Sequence, residues 1–399
     1  MPALSKEELL ETSTRLAPQY VSAPATALDI QSSPGFSNTL DTCRNSDTTM
    51  KPEIQSETEM ATHTVTNSGI EVRPADGNWD DYVERSEQGT AFHREAFLDV
   101  VADHADATLH RLVGFKGQEP VGVFPVFELT KGFTTAVFSP PPDLGLSQMG
   151  PALLNLDKLK QRKRETRTRR FLEGCLSWID ERLDPSFVHV RSHYRYEDYR
   201  PFAWNGFDIT PRYTYVLDLE PGPDALMDGF SSDARRNVRR ADETDVVITE
   251  RGRDAIGEIV SHLQDRHDAQ DVHYPVDPGF VADLDRALPE GQVRTYVASV
   301  DGDYVGGMVT LEDETTVFRW QGGARPKGDA SLPVNDLLDW RIITDAVDRG
   351  RTRYDFVGAN TPHLCEYKSK FGPDLVSYAV AERSTTTMRM VSRLYRSLR

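Results

Sequence analysis

Two stretches of this chain share one build, although about 185 residues separate their turns at Gly117 and Gly302. LHRLVGFKGQEPVGVFPVFEL and VRTYVASVDGDYVGGMVTLED each hold an apolar run, a polar turn containing glycine, and a second apolar run. The second run opens with Val121-Gly122 in one copy and Val305-Gly306 in the other. Each stretch predicts a β-hairpin, because a turn glycine supplies the positive φ that lets strands double back. A hairpin repeated at this distance in 399 residues predicts two copies of one domain rather than one large sheet.

The rest of the chain supplies the flanking elements. Helical spacing runs over Trp79 to Glu87, Arg94 to His104, Thr166 to Leu183 and Ile256 to Asp268, and strand alternation over Ile70 to Val72, Tyr213 to Leu219 and Val317 to Gln321. Pro221-Gly222-Pro223 marks a boundary, which sets the domains at 66–220 and 221–384. Residues 1–65, rich in Ser, Thr, Pro and Glu without a sustained period, read as a disordered leader with a short helix over Lys6 to Leu16. Residues 385–399 form a basic tail whose Val391, Leu394, Tyr395 and Leu398 share an apolar face; it predicts either peripheral membrane contact or a packed terminal helix.

Charge narrows the environment. Asp plus Glu number 63 against 46 Lys plus Arg, for a net charge of -17, and only 10 of the 46 are Lys. Abundant carboxylates with scarce lysine predict a halophilic, haloarchaeal protein whose surface stays hydrated in high salt. The same field disfavours non-specific nucleic-acid binding, so local basic patches matter more than the total. One is KLKQRKRETRTRR, with eight basic residues among the 13 from Lys158 to Arg170, a candidate phosphate or tRNA contact. Another is Arg235, Arg236, Arg239 and Arg240, which lie a turn apart on a helix capped by Ser231 or Ser232. Between them, HVRSHYRYEDYRPFAWNGF interleaves arginines with aromatics, which fits either base stacking or a domain interface. Three scattered cysteines predict no disulfide framework, and neither a signal peptide nor an apolar span is legible, which together predict a cytoplasmic protein.

The chemistry centres on Asn335 to Gly372, NDLLDWRIITDAVDRGRTRYDFVGANTPHLCEYKSKFG. Leu338, Ile342 and Ala346 form a helical stripe stopped at Gly350, a strand follows from Tyr354 to Val357, and a loop then brings Tyr367, Lys368, Phe371 and Gly372 near the strand's carboxyl end. Open α/β sheets place ligand crevices there. Just upstream, Gln321-Gly322-Gly323-Ala324 sits between a strand and a helix, where small residues let backbone N–H groups face a pyrophosphate. Gly322, Gly323 and Ala324 are therefore candidate cofactor contacts, and Trp320, Gln321, Asn335, Asn360 and Tyr367 candidate substrate contacts. No metal-ligand spacing, nucleophile elbow, Walker loop or dinucleotide fingerprint occurs, and Cys365 with His363 lacks the setting of a thiol nucleophile.

Taken in order, RRNVRRADE, DGDYVGG, WQGGA, PVNDLLDWRIITDAVDRGRTRYDFVG and EYKSKFG resemble the second half of the FemAB-like proteins of the GNAT superfamily. FSPPPDLG and YRPFAWNGFDITPRYTYVLDL extend the resemblance into the first half, so that it covers about residues 70 to 382. It implies an α/β fold of α+β kind, with two tandem GNAT-like domains, each a mixed, mostly antiparallel sheet flanked by helices. It also implies transfer of an acyl or aminoacyl group to an amine, with acyl-CoA favoured as co-substrate, aminoacyl-tRNA as the alternative, and no permanently bound cofactor. The family's Phe-Lys followed by Phe-Gly reads here as Tyr367-Lys368 and Phe371-Gly372, and its CoA loop is met in part by Gln321 and Ala324 of QGGARPKGDA. By this resemblance Lys368 lies near the acyl carbonyl, where it can stabilise the oxyanion. Asp355, or a water it holds, can take the amine proton, and Arg236 and Arg239 can bind a substrate phosphate or carboxylate. The acceptor implied is a small-molecule amine or a lipid or glycan precursor; a non-catalytic GNAT-fold binding module is the rival outside enzymology.

Overall fold

A computed structural model describes residues 64–67, 69–132, 134–272, 274–324 and 332–385. Most of the leader, with its Lys6–Leu16 helix and Cys43, lies outside the described residues, as do the basic tail from 386 onward and 325–331 of the Gly-rich turn.

The first half runs β1 Val65–Asn67, β2 Ile70–Pro74, α1 Trp79–Glu84, α2 Glu95–Ala105, β3 Thr108–Lys116, β4 Glu119–Lys131, β5 Thr134–Ser139, β6 Ala152–Leu153, α3 Gln161–Leu183, β7 Phe187–Arg191, α4 Arg200–Trp204 and β8 Asp208–Asp218. The second runs α5 Gly222–Gly229, α6 Ser232–Arg239, β9 Val246–Arg251, α7 Asp254–Asp268, α8 Pro278–Ala287, β10 Val293–Val300, β11 Asp303–Glu312, β12 Thr316–Ala324, α9 Val334–Asp348, β13 Arg353–Asp355, α10 Pro362–Ser369 and β14 Asp374–Ser384. Both repeated hairpins form, as β3–β4 and β10–β11. Helix α3 starts at Gln161, earlier than its apolar period suggests, because the unbranched Arg, Lys and Gln of the basic run are good helix formers even without an apolar stripe. Ser231 caps α6, accepting from the Ala234 N–H.

The two copies do not make separate sheets. Among the described residues, fourteen strands form one sheet in the order β1-β2-β3-β4-β5-β7-β14-β8-β13-β12-β11-β10-β9, with β6 beside β4. The repeat survives as internal symmetry: β5 pairs parallel with β7 as β12 pairs parallel with β13, and the other pairings are antiparallel. Each half then sends its last strand across. β8 of the first half pairs with β13, β14 of the second pairs with β7, and the two exchanged strands pair with each other over Asp208–Val216 and Asp374–Glu382. An edge at β7 or β13 would leave backbone donors and acceptors open, and the exchange closes both.

Three apolar cores cover this sheet. On one face a single cluster spans both halves and joins Phe97, Leu98 and Val101 of α2 to Phe280, Val281 and Leu284 of α8, with Phe318 and Trp320 of β12 below. The other face carries a core under α3 and α4 in the first half and another under α5, α6, α9 and α10 in the second.

Candidate active site

Strands β12 and β13 pair over only three residues, the last being Phe318 with Asp355. Beyond that point β12 runs on beside β11 alone, whereas the chain after β13 swings away through Val357 at φ 53° and Gly358 at φ 90°. The result is a wedge between the strands with Asp355 at its apex. A β-branched residue at positive φ is an uncommon and strained choice, and three side chains hold this turn in place. Val357 N–H donates to Asp355 Oδ1 (2.8 Å), Gly358 N–H donates to Thr214 Oγ1 (2.9 Å), and Lys368 Nζ donates to the Val357 and Gly358 carbonyls (2.9 and 2.8 Å). Thr214 Oγ1 in turn donates to Asp355 Oδ1 (2.5 Å), and no donor among the described residues occupies Oδ2.

Burial sets the electrostatics of the pair. Asp355 is 1% exposed, and burial pushes its carboxyl up to about 6 against the pull of Thr214, Val357 N–H and the charges of Lys368 and Arg195. Lys368 is 4% exposed and pushed down to about 8, chiefly by burial and then by the Arg319 charge. Behind them, under α9, Asp339 accepts from Arg319 Nε and Tyr354 Oη (both 2.7 Å) and from Tyr367 Oη. Lys370 pairs with Asp336 and lies 4.4 Å over the Tyr367 ring.

The sequence-derived candidates fall into distinct settings. Asp355 and Lys368 meet at the turn, with Lys368 committed to two backbone carbonyls. The Tyr367 hydroxyl is committed to Asp339. Asn335 bridges both backbone groups of Ala324, with Oδ1 accepting at 2.7 Å and Nδ2 donating at 2.8 Å, and Asn360 does the same to Tyr213 (3.0 and 2.9 Å). Each amide stands in for an absent strand partner. Trp320 occupies a β-bulge opposite Val309 and Thr310, so it and Gln321 point the same way, and both donate to the Gly145 carbonyl of the first half (3.0 and 3.3 Å). Gly322 packs on β11, where a Cβ would lie 2.3 Å from the Gly307 oxygen, while Gly323 has Arg266 and Asn335 as its nearest neighbours. Arg236 and Arg239 are exposed on α6 without a hydrogen bond or ion pair among the described residues, beside the start of α9, to which Asn237 is tied through Asp336 (2.6 Å).

The first-half contribution was visible in the sequence only as aromatic and arginine interleaving. A cavity of about 1340 Å³ opens between the halves, lined among others by Arg94, Tyr194, Arg195, Arg353 and Val376. Strand alternation puts Thr316, Phe318, Arg353, Asp355, Thr214 and Val376 on one face of the sheet, and of these Arg353 and Val376 line the cavity. Arg195 spans the junction, donating to Thr316 Oγ1 (3.0 Å) and the Glu87 carbonyl (3.1 Å).

Residues 229–369 match the model of a GNAT acetyltransferase domain. Among solved structures, FemX is similar over 77% of this chain and 96% of its own, at 12% identity and a TM-score of 0.61. L-PGS from Bacillus licheniformis (13% identity, TM-score 0.48, 80% of this chain and 97% of that one) and a conserved protein of unknown function from Bacteroides thetaiotaomicron (13%, 0.49, 78% and 99%) are more distant. No curated protein sequence matches the chain. The second half of this chain thus matches a GNAT acetyltransferase domain, and the chain as a whole is similar in fold to FemX.

Proposed function

We propose that the chain transfers an acyl group from acyl-CoA to the primary amine of an acceptor seated in the cavity between the halves. One observation carries this reading: a buried carboxylate whose Oδ2 has no partner among the described residues stands at the apex of the wedge, on the same sheet face as Arg353 and Val376, which line the cavity. The amine nitrogen attacks the thioester carbon, the N–C bond forms, and Asp355 Oδ2 takes the N–H proton. The C–S bond then breaks, and the proton passes on to the thiolate, so amide and free thiol balance amine and thioester. A thioester donor needs positioning more than chemical activation. Its phosphates fit the N-terminus of α9 together with Arg236 and Arg239, which have no ion pair among the described residues. Lys368 serves this arrangement by fixing the Val357–Gly358 turn.

The test is CoA release, read with a thiol reagent, from full-length protein given acetyl-CoA and a panel of amines that includes amino sugars, amino acids and an aminophospholipid. No release with any amine would refute the reading. A charged-tRNA donor is the second reading, favoured by Lys160 at the cap of α3 and Arg162, Lys163 and Arg170 on the helix itself, all exposed and without an ion pair among the described residues. Binding of tRNA that weakens with salt and vanishes when these four become Gln would select it. No helix among the described residues is long and apolar enough to cross a membrane. We assign the acidic surface to a salt-rich cytoplasm, which predicts higher turnover in molar KCl than in dilute buffer.

A further inference from the structure

The Tyr194 hydroxyl is buried, and among the described residues its O–H meets no acceptor. An unsatisfied buried donor is costly, so it marks a place that a water, an ion or a ligand completes. Its surroundings say which ligand. Tyr194 lines the cavity between the halves. Its neighbours pin it against β12, since the His193 ring lies 6.5 Å from the Phe318 ring and Arg195 bonds to Thr316. Phe318 and Thr316 are register partners of Asp355 and Arg353, so the tyrosine overlooks the face on which Asp355 stands. Burial holds the phenol above its ordinary pKa against the pull of the Arg195 charge, with the Asp355 charge on the side of burial, which keeps it protonated and a donor. The lysine that would otherwise stabilise an oxyanion has two of its donors turned to the Val357 and Gly358 carbonyls.

We infer that the first half of the chain completes the transfer site through Tyr194, whose O–H donates to the acyl oxygen as it becomes an oxyanion. This rests on the acyl-transfer reading above. When the amine nitrogen bonds to the thioester carbon, the C=O electron pair moves onto oxygen and the phenol hydrogen bond strengthens. When the oxyanion collapses and the C–S bond breaks, the bond relaxes, and Tyr194 keeps its own proton throughout.

Tyr194→Phe in the full chain tests it. Removing an oxyanion donor costs about 100-fold in kcat, so kcat should fall by that order while KM for acyl-CoA and for the amine stays within a few-fold. The acid limb of the pH profile should remain. The melting temperature should hold or rise, because the change removes an unsatisfied buried hydroxyl; a merely structural tyrosine would lose stability instead. An active wild type with undiminished kcat in the variant, or a loss confined to KM or to melting, overturns this inference alone. A wild type that releases no CoA overturns the acyl-transfer reading and this inference together.

Discussion

At the scale of single residues, Asp355 sets stability against reactivity. Its folded pKa, about 6, lies above the ordinary 3.8, so the fold is favoured by this group below pH 4 and loses that contribution as pH rises through 6. The loss is on the order of 3 kcal/mol at neutral pH. Asp355→Asn should therefore have a higher urea midpoint than wild type at pH 8, with the gap closing near pH 4. The same variant should lose about 100-fold or more in kcat, because an amide cannot take a proton. In the wild type, kcat/KM should climb through pH 6 as Asp355 ionises, a limb that the Asn variant lacks. Lys368→Met removes both donors that hold Val357 at positive φ, and should abolish turnover and lower the melting temperature while circular dichroism shows the fold retained. Unchanged turnover would take Lys368 out of the mechanism. The sequence brought Asp355 and Lys368 together because both lie within one short strand-loop-helix segment. Tyr194 and Thr214 reach the same place from 161 and 141 residues away along the chain (355 minus 194, 355 minus 214), which no local pattern reports.

At the scale of elements, one point of the joint between the halves is specific to single atoms. Gly145, at φ 65°, offers one carbonyl to Trp320 and Gln321, and a Cβ there would lie 2.4 Å from Gln321 Nε2. Gly145→Ala should cost about 1–3 kcal/mol, from crowding and a strained backbone together, read as a lower denaturant midpoint. The hairpins and α9 were legible because turn glycines and a 3.6-residue period are local signals. The bulge at Trp320 was not, since it is defined only by the register against Val309 and Thr310. Asn335 and Asn360 looked like ligand-binding amides because their partners are backbone atoms of Ala324 and Tyr213, which leave no mark in side-chain chemistry.

At the scale of the molecule, the exchanged strands and the common core predict one cooperative unit. Unfolding followed by fluorescence and by far-ultraviolet circular dichroism should give one coincident transition. Separate fragments 66–220 and 221–385 should fail to fold, since each loses a partner for the strand that it lends. Co-expression should restore a soluble complex. The repeat in the sequence reported the two copies but not their fusion, because β7–β14 and β8–β13 are pairings between distant segments whose patterns look like ordinary half-buried strands. Strand β14 is the last to leave the ribosome among the described strands, yet it stands at the middle of the sheet, between β7 and β8. Until it emerges, the first half presents an open edge at β7, and β8 is held on its β13 side alone. Translation therefore sets the order of assembly: both halves wait, partly built, and the centre of the molecule closes last, so a ribosome stalled short of residue 374 would hold a chain with a sticky, unfinished seam.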